Sequence, residues 1–205
     1  MPPVSPPAPS LLDRIAACRV CEAHLPLGPR PVVHAADPKA RILVIGHAPG
    51  TKVHASGIPW DDASGKRLRD WLGVTPAQFY DQSIFASIPM GFCYPGRVVK
   101  GKNGGGDNPP RPECAPLWHK ALLDTLPNIE LTVLIGSHAL AYYLKPPRAE
   151  TLGGTVKAWR DHAARGYFPL VHPSPRNLMW LRKNPWFEAD IVPELRARVK
   201  ALLPE

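Results

Sequence analysis

Short apolar runs recur along the chain, separated by longer stretches of helical or irregular pattern. Ile42-Leu43-Val44-Ile45 is brief, β-branched and closed by Gly46, which predicts a buried strand over 41–45. A second strand is predicted over 83–88, ended by Pro89, and a third over 131–135, ended by Gly136-Ser137-His138. The fourth spans 167–171 and runs directly into His172-Pro173-Ser174-Pro175-Arg176-Asn177. Helical periodicity fills the gaps. Ser10 can cap a short helix through Leu11, Leu12 and Ile15 to Ala17. Over 64–72, Leu68, Trp71 and Leu72 share one face, with Lys66, Arg67 and Arg69 around the polar side. Helices are also predicted over 114–126 and 139–144, a short helix or irregular segment over 155–163, and an amphipathic closing helix within 185–203. Strands alternating with helices predict an α/β fold: one domain of three α/β/α layers around a central, mainly parallel, four-stranded sheet.

Composition refines this picture. Hydrophobic residues at 44% and charged residues at 20% fit a globular chain, and 205 residues suffice for one domain. Residues 1–9 read as a proline-rich mobile tail, leaving 10–205 as the domain. No apolar run approaches the roughly 20 residues that span a bilayer. The start, Met1-Pro2-Pro3-Val4-Ser5, carries neither the basic region nor the apolar core of a secretory signal. A cytoplasmic monomer with no membrane partner is expected. The net charge of +8 favours a polyanionic partner, most often nucleic acid.

The candidate chemistry lies in loops and cysteines. In parallel α/β sheets, ligands bind beyond the carboxyl ends of the strands. Gly46-His47-Ala48-Pro49-Gly50 occupies such an end, and Gly57-Ile58-Pro59-Trp60 follows it. Taken alone, the first loop reads as an ordinary strand-to-helix turn. Residues 91–112 form a long Gly/Pro loop, whose length inside a compact domain indicates function or disorder. Gly104-Gly105-Gly106 within it does not join a strand to a helix, so it is not read as a phosphate loop. Cys18, Cys21, Cys93 and Cys114 combine a C-x2-C pair with a second, distant pair, a pattern of metal sites in a reducing compartment. Four thiolates suit either zinc or an iron–sulfur cluster.

Together, GHAPG at 46–50 and HPSPRN at 172–177 resemble the two signature motifs of the uracil-DNA glycosylase superfamily. GIPW at 57–60 is similar to the segment whose aromatic side chain stacks on the extruded base. The order of the four cysteines resembles the iron–sulfur branch of that superfamily, which includes its family-four and family-five enzymes. The likeness runs from about Cys18 to Asn177. It departs in four places. Iron–sulfur members commonly carry an acidic residue where this chain has His47. Uracil enzymes outside that branch carry aspartate at the position of Ala48. The base-reading asparagine is replaced by Pro89. The second cysteine pair is wider, with extra residues around 100–107.

The resemblance implies a monofunctional glycosylase that flips a deaminated base, uracil foremost, out of DNA and hydrolyses its N-glycosidic bond. His172 would stabilise charge on the departing base. His47, with Asp61 or Asp62 as rivals, would position the attacking water. Gly46, Ala48, Pro49, Gly50, Trp60 and Pro89 would hold the base. Pro173, Ser174, Pro175, Arg176 and Asn177 would meet DNA, with Arg176 filling or contacting the vacated stack. Lys100, Lys102, Arg111, Arg182 and Lys183 could meet phosphates, although each could equally be part of a solvated face. The cysteines would hold a 4Fe-4S cluster, or else zinc, in a structural role. The rival readings are a DNA-binding or abasic-site-capturing protein of the same fold with little or no turnover, and a zinc-stabilised module without a DNA role.

Overall fold

The computed structural model describes residues 9–98, 105–144 and 151–204. Four parallel strands, β1 (Ile42–Ile45), β2 (Phe85–Ser87), β3 (Leu131–Ile135) and β4 (Tyr167–Leu170), form one sheet in the order β2-β1-β3-β4. The register sets Ile42 against Phe85 on one side and against Leu131 on the other, and Ile135 against Leu170. Every residue of β1, β2 and β3 is buried. That is why these strands read as continuous apolar runs rather than as alternating ones.

The pleat divides the core in two. Ile42, Val44, Val133, Ile135, Phe168 and Leu170 face one layer; Leu43, Ile45, Ala86 and Leu134 face the other. Helix α1 (Leu11–Ala16) begins with a capping box in which Ser10 and Asp13 bond reciprocally. Helix α2 (Thr51–Ser56) follows the first strand and ends at Gly57 with φ 74°. Helix α3 (Ala63–Leu72) is capped by Asp62 and ends at Gly73, again left-handed. Helix α4 (Pro76–Tyr80) has a Thr75–Gln78 capping box and proline in its first turn. Helices α5 (Cys114–Asp124), α6 (Gly136–Tyr143), α7 (Leu152–Lys157), α8 (Trp159–Ala163), α9 (Leu178–Lys183) and α10 (Val192–Lys200) complete the layers. Helices α3, α8 and α10 pack on the first layer, and α1, α5 and α6 on the second.

Two expectations are corrected. Helix α6 begins at Gly136, with no turn between it and β3, because Gly136 takes φ 82° and reverses the chain in one residue. The closing segment is not one helix: a π-type turn over Phe187–Ile191 precedes α10. Helices α2, α4 and α9, at five or six residues each, were too short to show a periodicity in the sequence. Most of the expected tail, residues 1–8, lies outside the described residues. Among the described residues no helix is long and apolar enough to cross a membrane.

Candidate active site

All four strands point their carboxyl ends to one edge, so the loops that leave β1, β2 and β4 converge there. They surround a cleft of about 520 Å³. The loop after β1 supplies Gly46, His47, Ala48, Pro49 and Gly50; the segment before α3 supplies Trp60 and Asp62; the loop after β2 supplies Pro89; the loop after β4 supplies His172, Ser174, Pro175 and Arg176. Asp61, Pro173 and Asn177 are not among the lining residues.

Trp60 is held from several sides. Its backbone sits at φ 59°, the sole positive value of a non-glycine residue among those described. A left-handed residue of this kind costs about 1–2 kcal/mol, so its surroundings must compensate. The indole lies so close over Gly46 that a Cβ there would stand 2.5 Å from its ring. Its Nε1–H donates to Ser87 Oγ at 3.2 Å. Its carbonyl accepts from Arg69 at 3.2 Å, and it lies against Gly65, where any Cβ would collide with it. Asp62 then accepts from the Gly65 amide at 2.8 Å through Oδ1, starting α3. The DASG sequence after Trp60 therefore both caps a helix and locks the aromatic in place.

The His172 ring faces Trp60, with centroids 5.8 Å apart and planes 33° from each other. Burial pulls the His172 pKa below its ordinary value, and the Asp62 carboxylate partly counters this. The imidazole is thus neutral near pH 7, with one N–H to donate. The loop that carries it is tied down from within. Asn177 Nδ2 donates to the His172 carbonyl at 2.7 Å, and Arg67 donates to the Pro173 carbonyl at 3.1 Å. Pro173 is buried. Asn177 and Pro173 thus brace the backbone behind the histidine.

His47 lies beside His138, with ring centroids 5.1 Å apart. Burial, followed by repulsion from His138 and His172, pushes its pKa down to about 4. Pro89 lines the cleft, and its carbonyl bonds His119 Nε2 at 3.0 Å, while His119 Nδ1 meets Tyr143 Oη at 2.5 Å.

The long loop contributes residues that sequence reasoning missed. Arg97, Gly106 and Asp107 line the cleft, and Val98 and Asn108 bond Gly106 and Gly96 across the loop's two arms. Arg176 donates to the Gly105 carbonyl, which straps this loop to the one after β4. Burial raises the Asp107 carboxyl pKa, with Arg176 and Arg97 opposing. No pattern in the sequence marks Asp107; only the return of the loop brings it here.

At its ends this loop meets a separate cavity lined by Cys18, Cys21, Cys93, Cys114, Arg111 and Trp118. All four cysteines are free. Among the described residues, no three His, Cys, Asp or Glu side chains are gathered closely enough to hold one metal ion. Arg111 is paired with Glu113 at 2.6 Å beside this cavity, where Cys21 also meets Glu113 at 3.7 Å. Lys100 and Lys102 lie outside the described residues, and Arg182 and Lys183 are exposed on α9.

Residues 33–196 match the family model of the uracil DNA glycosylase superfamily. The chain belongs to that superfamily. It is a DNA-repair glycosylase of the hydrolase class, and the cleft that unites the 46–50 and 172–177 loops is its candidate active site.

Two outcomes follow from this geometry. Gly46→Ala drives the Trp60 ring off its seat and lowers base excision about a hundredfold, as about 1 Å of misplacement does elsewhere; wild-type excision by this variant would show that the ring needs no such seat. The second concerns pH. A histidine pKa held at about 4, against 6.5 for the free side chain, means that the unfolded chain binds its proton first. The stability due to His47 and His119 is therefore complete above pH 6.5 and is lost as pH falls towards 4, by about 1.4 kcal/mol per pH unit for each proton. Urea midpoints measured across this range fall with pH, and less steeply in His47→Gln.

Proposed function

We propose that the protein excises uracil from DNA, flipping the nucleotide into the cleft and hydrolysing its N-glycosidic bond to leave an abasic site. The observation that carries this reading is the neutral, half-buried His172 facing the seated indole of Trp60 across one cleft. A flat base needs a stacking platform and a donor aimed at the charge it acquires. Trp60 supplies the platform. As the bond from the sugar C1′ to the base nitrogen breaks, the electron pair leaves with the base, and the His172 N–H stabilises it. The sugar becomes oxocarbenium-like, water adds at C1′, and its proton passes to an acceptor in the cleft.

Asp62 suits that acceptor better than the other candidates. It lines the cleft, its Oδ1 is engaged by Gly65, and its second oxygen is left for water. His47, with a pKa of about 4, is a weak base at neutral pH. Asp61 is exposed and does not line the cleft. A carboxylate beside the reacting centre weakens the case for a binding protein without turnover, which rested on the lack of one at positions 47 and 48.

The cysteines suit a 4Fe-4S cluster in a structural role. Four free thiols line one cavity, and burial raises Cys93 to about 11 and Cys114 to about 12. Thiols so reluctant to ionise become thiolates when a metal takes the place of the proton. Four thiolates suit either zinc or a cluster; the order of the cysteines, which resembles the iron–sulfur branch, favours the cluster. Trp118, lining the same cavity, has a buried indole N–H with no hydrogen-bond partner, a donor suited to sulfur. Such a cluster would supply a cross-link, joining the segment after α1 to both ends of the long loop.

A uracil-containing oligonucleotide, incubated with the protein and treated with alkali, should be cleaved at the uracil; no cleavage in single- or double-stranded DNA would overturn the reading. In the same assay His172→Ala should lose about a hundred- to a thousandfold in rate. Metal analysis of anaerobically purified protein should find iron and sulfide, with brown colour. One zinc per chain, or no metal and four reactive thiols, would refute the cluster.

A further inference from the structure

Strand β2 is an edge of the sheet, so alternate residues of its run turn their backbone polar groups towards β1 and away from it. The inward set continues past the strand end: Ile88 and Met90 donate to the carbonyls of Val44 and Gly46 at 3.0 and 2.9 Å. Ser87 and Pro89 are the outward set. Ser87 pairs with His34 through both of its backbone groups. Pro89 has no N–H to leave unpaired, which suits an edge position, but its carbonyl still needs a donor. His119 of α5 meets it there, with Nε2 at 3.0 Å from the oxygen.

His119 is 1% exposed and enclosed by aromatic rings. Phe92 stacks on it, with centroids 5.7 Å apart and planes 10° from each other, and the Tyr143 hydroxyl at the end of α6 meets Nδ1. Burial keeps the ring neutral. A carbonyl oxygen can only accept, so Nε2 carries the hydrogen; Nδ1 is then the acceptor and the Tyr143 hydroxyl the donor. What this network holds is the cleft wall. Pro89 lines the cleft between the two amides that bond Val44 and Gly46, and Gly46 is the seat of the Trp60 indole. Gly91 donates to the His47 carbonyl at 3.1 Å.

We propose that His119 is a positioning residue for base excision: its Nε2–H fixes the Pro89 carbonyl, and through residues 88–91 the places of Gly46 and His47, while Tyr143 selects the tautomer that can do so. Neither His119 nor Tyr143 lines the cleft, so both act only through this wall. The inference rests on the excision proposed above, and its test reads the wall and the reaction separately.

Nitrogen-15 NMR of histidine-labelled protein at pH 7 should show His119 as the Nε2–H tautomer, its signals identified by their loss in His119→Gln. In His119→Leu, which has no donor, the amide signals of Met90 and Gly91 and the indole signal of Trp60 should shift. His119→Gln, whose amide N–H can take the place of Nε2–H, should bring them back. Single-turnover excision of uracil should fall about ten- to a hundredfold in His119→Leu, as misplacement by up to about 1 Å costs, with DNA affinity unchanged. His119→Gln should recover most of that rate. Tyr143→Phe should alter the tautomer signal and slow excision, and it decides the matter should His119→Leu fail to fold. Rates are compared below each variant's melting temperature, where a merely structural histidine would leave them unchanged. An Nδ1–H or doubly protonated His119 in wild type would overturn the proposal. So would unshifted amides or an undiminished rate in His119→Leu, or a His119→Gln no faster than His119→Leu. Shifted amides in His119→Leu with no excision by wild type would sink the proposed activity and leave the anchored wall standing.

Discussion

The seating of one indole ring on a bare backbone organises the active site. Trp60 lies on the Cα of Gly46, the first residue after β1, and its carbonyl lies on Gly65, in the first turn of α3. Two glycines therefore let one aromatic residue join the strand end to the helix start without intervening side chains. The left-handed backbone of Trp60 is the strain this requires. Ser87 at the end of β2 and Arg69 of α3 bond the indole and the carbonyl. Three elements thus converge on Trp60, and His172 from β4 faces the result. The ring is fixed before any ligand arrives, so little ordering remains to be paid for on binding.

Much of this was legible. The strands stood out because a sheet buried on both faces permits only apolar residues, and their ends were marked by Gly46, Pro89, Gly136 and His172-Pro173. The two signature loops were paired by their resemblance to the superfamily's motifs, and the parallel sheet delivers both to one edge. What escaped notice has physical reasons. Helices α2, α4 and α9, at five or six residues, are too brief for a 3.6-residue period to emerge, and of the three only α4 carries a capping box, Thr75-Pro76-Ala77-Gln78. Asp107 and Arg97 reach the cleft because a long loop folds back on itself, and no local pattern encodes a return. For Arg111, charge alone left a phosphate contact and a solvated face equally open; the ion pair with Glu113, two residues on, needs the fold to be seen.

The long loop connects two sites that the sequence suggested were independent. Its ends carry Cys93 and Cys114, and its middle supplies Arg97, Gly106 and Asp107 to the cleft wall. Arg176 then straps Gly105 to the loop that bears His172. Whatever anchors the cysteine end thus bears on where the wall stands, through covalent chain and a single bridging guanidinium rather than through a shared cavity.

The residues after His172 divide their labour in a way that motif position does not show. Pro173 is buried and its carbonyl is bonded to Arg67; Asn177 bonds the His172 carbonyl; the Ser174 hydroxyl accepts from the Arg176 amide at 3.3 Å. These bonds shape the loop from within, and the Ser174 hydroxyl keeps its O–H for the cleft that it lines. A histidine that must meet developing charge gains from that arrangement, since a donor already in place needs no reorganisation as the bond breaks. The consequence is a loop whose back is held by Pro173 and Asn177 while Ser174, Pro175 and Arg176 stay on its cleft side.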